Sequence, residues 1–161
     1  MTKKYNNHLG RNLISKRSPD RITAKRRSVL MSKIRSKETI FELNFIKKIS
    51  KRTRFKFETN VVDILGKPDI IFRKKKICIF LDSDFWHGWQ FPRWRHKMKD
   101  SFWIRKIDSN RKRDRRITKS LRLSGWQVIR LWEHQIKYLP EESVREVILR
   151  LHSTKNKQKL K

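Results

Sequence analysis

The feature that most constrains this fold is a continuous apolar run, ICIFL at 77–81, which ends at Asp82. A run without alternation is typical of a strand covered on both faces, so it predicts the central strand of a sheet. A shorter strand is predicted at 69–72, and the basic stretch 73–76 predicts a hairpin turn between the two. If these strands pair, Asp69 at the head of one and Asp82 at the end of the other arrive at the same end of the sheet.

The rest of the chain alternates helical and extended patterns. Thr39 and Glu42 have the spacing of a capping box and open a predicted helix. This order of elements predicts an α/β domain with a mixed central sheet flanked by helices. The further predicted elements are a helix at 39–51, strands at 55–58 and 61–64, a helix at 99–124, a strand at 126–132 and a helix at 140–151.

Charge separates the chain into three parts and points to its partner. Residues 1–27 form a basic arm, 28–152 the predicted domain, and 153–161 a basic tail. Lysine and arginine total 44 against 15 acidic residues, a formal charge of +29. Such a charge repels itself unless it meets a polyanion, and nucleic acid binding releases condensed cations from the phosphates. Ribosomal or chromatin-like packaging is the alternative with the same composition.

Other classes fit the chain poorly. Cys78 is the single cysteine, so neither a disulfide framework nor a thiolate zinc cluster is expected, and the compartment is reducing. No apolar run has the length of a membrane span, and the first residues lack a signal peptide's apolar core. We expect a cytoplasmic, nucleoid-associated protein that is monomeric, does not meet a membrane and has double-stranded DNA as its partner.

The two predicted strand ends carry the chemistry. Two converging carboxylates raise each other's pKa, and a hard cation such as Mg²⁺ relieves that repulsion and bridges a phosphate oxygen. The structural alternative is that Asp69 caps a turn after Pro68 and that Asp82 only ends a strand. His87 follows five residues after Asp82, and a neutral imidazole there could accept the proton of an attacking water. Its alternative is a packed or surface histidine.

The layout of a Pro-Asp, a spacer and a second acid resembles that of the restriction-endonuclease-like nucleases. Their second acid is followed at the second position by a lysine, where this chain has Asp84. The resemblance narrows to the very short patch repair (Vsr-type) endonucleases, which nick DNA beside a T:G mismatch. It covers residues 27–135. The matching motifs are RS at 27–28, MSKI at 31–34, SKET at 36–39, GKPDI at 66–70, FWHG at 85–88, FWIRKI at 102–107, RD at 113–114, GW at 125–126 and WE at 132–133.

This resemblance implies roles for individual residues, beginning with the reacting groups. Asp69 matches the family's metal-binding aspartate, His87 its catalytic histidine and Glu42 an acid near the active site. An acid at Asp82 is familiar among relatives and fits a second metal ligand. The role of Asp84 stays open.

The resemblance also implies DNA contacts. Phe85 and Trp86 match aromatics that wedge into the base stack, and Met31 matches a residue that enters from the other groove; the alternative for all three is core packing. Lys106 and Asn110, one turn apart on the long helix, match positions that contact DNA. Arg113 and Asp114 are either a structural ion pair or a DNA contact.

The chain departs from the family pattern at a structural zinc site. Asp84, Trp89 and Phe91 stand where cysteine or histidine ligands are expected, and His134 alone remains. Since zinc usually needs four ligands, no structural zinc is expected, and Trp89, Phe91 and Trp94 should pack in its place.

The expected function is therefore a Mg²⁺-dependent DNA endonuclease that nicks one strand at T:G mismatches. One alternative is a site-specific restriction or homing endonuclease on the same fold. Another is a non-catalytic nucleic-acid-binding protein.

Overall fold

The computed structural model describes residues 29 and 40–153. The predicted basic arm, Met31, Thr39 of the capping box and the tail from 154 onward lie outside the described residues. The elements, in chain order, are α1 (40–52), β1 (Glu58–Thr59), β2 (Ile70–Phe72), β3 (Ile77–Asp82), α2 (Phe91–Trp94), α3 (Ser101–Leu123), β4 (Gln127–Trp132), α4 (Glu133–Tyr138) and α5 (Pro140–Ser153).

These strands form one mixed sheet in the order β1-β2-β3-β4. The first three make an antiparallel meander, whereas β4 runs parallel to β3 after the crossover through α3. All six residues of β3 are buried, so the predicted central strand is confirmed. The predicted hairpin is also confirmed, because β2 and β3 pair around a single 3₁₀ turn, Arg73–Lys75.

Helices cover both faces of the sheet. The helices α1 and α5 pack on one face, where Phe45, Ile79 and Val147 belong to the larger buried cluster. The helix α3 packs on the other face through Leu121 and Ile117, against Phe80 and its neighbours. Alternation along β3 explains the division, since successive side chains of a strand point to opposite faces.

The predicted strand at 61–64 is wrong, because this segment is irregular and bends at 63–64. Val61 is buried and Ile64 partly buried in the cluster under α3, although neither belongs to the sheet. Gly66 follows at φ +84°, and a Cβ there would lie 2.5 Å from Cγ2 of Ile117. Of the predicted strand at 55–58, only Glu58 lies in a strand, as the first residue of β1.

The long helix α3 confirms the prediction for 99–124 almost to the residue. Asp100 caps it by accepting a hydrogen bond from the amide of Phe102 at 2.7 Å. Ile107, Asn110 and Leu121 are buried, and the rest of the helix presents a largely basic surface to solvent. Within the part of the chain that the structure describes, no helix is both long and apolar enough to cross a membrane.

Candidate active site

The pairing of β2 with β3 brings Asp69 and Asp82 to the same end of the sheet. The amide of Asp69 donates to the carbonyl of Ile79 at 3.0 Å, and its Oδ2 accepts from the amide of Leu81 at 2.7 Å. Burial raises the pKa of Asp69 above its ordinary value, and the charge of Asp82 adds to the rise; the Leu81 amide and His87 oppose it. The folded protein therefore holds the negative charge of Asp69 at a cost.

Asp82 is balanced by an arginine from the neighbouring parallel strand. Nε and Nη2 of Arg130 each lie 2.6 Å from one oxygen of the Asp82 carboxylate. The Asp82 side chain is only 2% exposed, and Arg130 also lies over the ring of Phe80 at 4.7 Å. This two-point geometry is the strong form of an arginine–carboxylate bond.

His87 is held from α3 by Asp114. Nδ1 of His87 lies 2.7 Å from Oδ2 of Asp114 and 3.4 Å from Oδ1 of Asp82. An ionised carboxylate can only accept, so Nδ1 carries a proton, and in the neutral form of the ring Nε2 keeps the lone pair. Burial tends to raise the pKa of Asp114, but the hydrogen bond and charge of His87, with Arg130 and Arg113, hold it below its ordinary value.

Arg130 joins these two acid contacts into one network. Its Nη2 lies 3.6 Å from Oδ1 of Asp114, in addition to the bond with Asp82. One guanidinium therefore serves both carboxylates that contact His87, and the imidazole is fixed from three elements, β3, α3 and β4. Such a network positions the ring and leaves Nε2 available for chemistry.

The donor set fits a cation at Asp69 better than at Asp82. No other residue within 40–153 donates a hydrogen bond to Oδ1 of Asp69, and the raised pKa of this carboxyl marks a charge that a cation would stabilise. The oxygens of Asp82 are already bonded to Arg130. Among the described residues, no group of three or more histidine, cysteine or acidic side chains is arranged to hold a metal ion.

The loop that carries His87 also carries an exposed aromatic cluster. Phe85 is 41% exposed and contacts Trp86, Trp94 and Trp103, with ring centroids 4.8, 6.0 and 6.4 Å apart. The rings of Trp86 and Trp103 lie 5.3 Å apart. The predicted wedge residues thus lie beside the acid–histidine cluster, on the surface, backed by rings from α2 and α3.

The two predicted DNA contacts on α3 have different surroundings. Lys106 is exposed. Asn110 is buried, and its Nδ2 donates to the carbonyl of Trp86 at 3.0 Å, so its amide anchors the aromatic loop to α3. Glu42 lies half-buried on α1, while Met31 lies outside the described residues.

Aromatic and ionic contacts fill the region where the expected zinc ligands are replaced. Nδ1 of His134 lies 2.6 Å from Oδ1 of Asp84, and the ring of Trp89 lies 4.7 Å from His134 and 4.9 Å from Trp132. Phe91 and Trp94 contact each other at 4.8 Å. The predicted packing of these aromatics is present, and it ties the loop to β4 and α4.

Sequence reasoning missed two members of the site. The sequence suggests Asp114 as a partner of Arg113, which it also is, at 3.2 Å, but its contact with His87 was not predicted. Arg130 was not singled out. The signal for it was available: a single arginine inside the apolar strand QVIRLW must find a partner to be buried there.

Comparison with known proteins identifies relatives along most of the chain. Residues 19–93 match the family model described as DNA mismatch endonuclease Vsr. The type II nicking enzyme V.NmeDIP of Neisseria meningitidis serogroup C is 36% identical over 119 residues, 73% of this chain and 80% of that protein. The type II nicking enzyme V.XorIIP of Xanthomonas oryzae pv. oryzae is 32% identical over 125 residues, 74% and 88% of the two chains. The DNA mismatch endonuclease Vsr of Escherichia coli is 30% identical over 82 residues, 48% and 50%.

Fold and site define a strongly basic α/β protein with an acid–histidine centre at one end of its sheet. The similarities give it a family: the chain belongs to the Vsr family, as its motifs predicted.

Proposed function

We propose that this protein is a Vsr-type endonuclease that nicks one strand of duplex DNA at T:G mismatches with the help of Mg²⁺. The observation that carries the proposal is the His87–Asp114 pair, held beside Asp69 at the end of the sheet. The names of the relatives, nicking enzymes and a mismatch endonuclease, support the same activity. The mixed sheet agrees with a restriction-endonuclease-like fold, which we propose for the domain.

His87 is the general base in this proposal. With Nδ1 bonded to Asp114, Nε2 accepts a proton from water as the water oxygen attacks phosphorus. The phosphorus–oxygen bond to one sugar breaks, and the leaving sugar oxygen takes a proton from solvent to become a hydroxyl group. Asp114 keeps the imidazole in the required tautomer and stabilises the imidazolium that forms. Arg130 keeps Asp82 and Asp114 neutralised while the ring changes charge.

Asp69 is the proposed Mg²⁺ ligand, through Oδ1. Both oxygens of Asp82 are bonded to Arg130, so Asp82 is a second ligand only if one oxygen contacts the ion and Arg130 at the same time. Bound Mg²⁺ would supply stabilisation of negative charge on the phosphate oxygens. Glu42 is proposed as a further acid near the site.

The aromatic cluster provides the mismatch step. Insertion of apolar side chains between base pairs costs a few kcal/mol of stacking, and the cost is least where pairing is already poor. Phe85 and Trp86 are proposed to insert at the mismatch, with Met31 from the other groove, while Lys106 contacts the backbone. Asn110 acts through Trp86.

Nicking of end-labelled duplexes, matched and T:G-mismatched, with Mg²⁺ tests the proposal. We expect cleavage of one strand of the mismatched duplex, and a loss of about 100-fold or more when the general base is removed in His87→Asn. His96→Asn, which changes an exposed histidine, is the matched control and should nick normally. Folded wild-type protein that cleaves neither duplex would contradict the proposal.

A second candidate is site-specific nicking of matched DNA. The relatives named type II nicking enzymes favour it, since that name specifies nicking and no mismatch. The same assay decides between them, because equal cleavage of matched and mismatched duplexes excludes mismatch specificity.

A further inference from the structure

A groove of about 750 Å³ opens on the Asp114 side of His87. One wall is α3, the other is the loop 87–90 with Trp132, and the Asp82–Arg130 pair lies at its floor. The predicted wedge residues Phe85 and Trp86 do not line it. The groove is therefore a separate surface, next to the catalytic histidine but distinct from the aromatic cluster.

The α3 wall is a single stripe of positive charge. Arg111, Arg115, Lys119 and Arg122 follow one another at spacings of four, four and three residues, which places them on one helix face. Together with Arg130 they set five positive groups against two carboxylates, Asp82 and Asp114, so the groove carries a net of three positive charges with His87 neutral. A concave wall of one charge sign focuses the electric field.

Three of these cations have no acidic partner. Within residues 40–153, no carboxylate lies within ion-pair distance of Arg115, Lys119 or Arg122, whereas Arg111 approaches Asp108 at 3.9 Å. Unpaired cations also occur elsewhere within these residues, for example Lys47 and Lys51 on α1, so a missing acidic partner does not by itself mark a site. What distinguishes Arg115, Lys119 and Arg122 is that they line one concavity together, beside His87, which points to an anionic ligand.

We propose that this groove binds the sugar–phosphate backbone of one DNA strand, with Arg115, Lys119 and Arg122 each contacting a phosphate; the choice of DNA rests on the proposed function. Successive cations of the stripe stand about 4.5 to 6 Å apart along the helix axis, and their long side chains can reach neighbouring phosphates of one strand. The basic ends of this chain carry the same sign as the groove and are repelled from it. Contacts to phosphate carry no sequence information, so the groove adds affinity without mismatch preference.

The test measures DNA binding against salt concentration, without Mg²⁺ so that no cleavage occurs. In the triple variant Arg115→Gln, Lys119→Gln, Arg122→Gln, the negative slope of log K against log salt should become less steep by about 2.7, which is 0.9 for each phosphate that is no longer neutralised. The ratio of the affinity at about 50 mM salt to that at about 200 mM salt should therefore be roughly 40-fold smaller for this variant than for wild type. The ratio of affinities for T:G and matched duplexes should not change.

A matched control separates a local effect from general charge. The triple variant Lys47→Gln, Lys51→Gln, Arg145→Gln removes the same charge from exposed positions on α1 and α5, across the sheet from the groove. Its salt slope should fall by less than about 0.9, the value for a single phosphate. Circular dichroism checks that both triple variants fold; all six positions are exposed on helices.

The outcomes distinguish this inference from the proposed activity. Equal slopes in the two triple variants, or a changed T:G preference in the groove variant, would overturn the groove assignment. If wild type and the two triple variants show the predicted differences in slope but wild type does not nick DNA, the endonuclease proposal is contradicted and the groove assignment is supported. Wild-type binding that does not respond to salt would overturn both.

Discussion

In the proposed mechanism, the contact of Asp114 with Nδ1 of His87 leaves Nε2 as the nitrogen that accepts the proton. In Asp114→Asn, the amide can present its NH₂ group to Nδ1 and so favour the tautomer in which Nε2 holds the proton. We expect the single-turnover nicking rate to fall by about 100-fold or more, with DNA affinity unchanged, because a general base contributes about that much. Asp108→Asn is the control, since Asp108 lies on the same helix and pairs with Arg95 at 3.4 Å, away from His87. Nicking by Asp114→Asn at the wild-type rate would show that Asp114 does not position the base.

The charge of Asp69, which the proposed mechanism uses to bind the metal, is expected to lower the stability of the fold. Its raised pKa means that the folded state binds the proton more tightly than the unfolded chain, so folding loses free energy as pH rises through that pKa. Asp69→Asn keeps an oxygen for the Leu81 amide and carries no charge. In EDTA we expect this variant to be more stable than wild type at pH 7, by up to about 1 kcal/mol. The advantage should disappear below about pH 4, the ordinary pKa of aspartate, because the Asp69 carboxyl is then protonated in both the folded and the unfolded wild type. Thermal unfolding at the two pH values measures the difference, and a variant that is less stable than wild type at pH 7 contradicts it.

Arg130 and Asp82 act as one unit. Arg130→Met removes the two-point partner of the buried Asp82 carboxylate and leaves only His87 near it, so we expect a loss of about 3–5 kcal/mol in the free energy of unfolding. Adding Asp82→Asn removes the unpaired charge, so the double variant should be more stable than Arg130→Met alone. Urea unfolding of the four proteins gives the coupling energy. Additive losses would mean that the pair is not coupled.

At the scale of elements, the site depends on the fit between the loop 83–90 and α3. Gly88 has φ +70°, and a Cβ there would lie 2.8 Å from Cγ2 of Ile107 and 2.7 Å from Cδ of Arg111. Gly88→Ala should therefore cost about 2 kcal/mol of stability and lower nicking, because His87 is the preceding residue. Gly125→Ala is the control: its φ is +82°, yet a Cβ there meets only Nζ of Lys76 at 3.8 Å. Chemical denaturation of both variants separates the cost of the steric contact at Gly88 from the cost of a positive φ, which the two positions share. Equal losses of stability would show that the contact is unimportant.

The elements that the sequence predicts well are those with strong patterns of their own. The run 77–81 can only be a covered strand, and the stripe of α3 extends over six turns. The apolar residues of segment 61–64 predict a strand, but Val61 and Ile64 instead pack under α3, a tertiary contact without a local signal. The short helices α2 and α4 have four and six residues, too few for a period to appear.

The same limit explains which site residues were found. Asp69, Asp82 and His87 lie within one stretch and were predicted together. Asp114 is 27 residues from His87 along the chain, and Arg130 is 48 from Asp82. The Asp114 contact depends on how α3 packs against the loop that carries His87. The Arg130 contact depends on the parallel register of β3 and β4, in which Arg130 lies opposite Phe80 and so on the same face as Asp82. Neither strand alone contains that register.

At the scale of the whole molecule, the formal charge of +29 sets a general electrostatic cost of folding. Acidic residues are too few to pair most cations, so the compact state repels itself more than the extended chain does. Screening by salt should relieve this repulsion more than it weakens the exposed ion pairs, which contribute little. Stability and DNA binding therefore respond to salt in opposite directions.

We expect the midpoint of thermal unfolding to rise by several degrees between about 10 and 200 mM NaCl, since 1 kcal/mol corresponds to about 2–4 °C for a chain of this size. At low salt, duplex DNA should raise the midpoint above its value without DNA, because a ligand that binds only the folded state stabilises that state by mass action. The Asp69→Asn variant, in which the proposed mechanism predicts impaired cleavage, serves for the DNA measurement, and an uncharged polymer at equal mass is the control. A midpoint that falls with salt in the absence of DNA would mean that the native ion pairs, such as Arg73 with Glu58 and Asp63, outweigh the net repulsion.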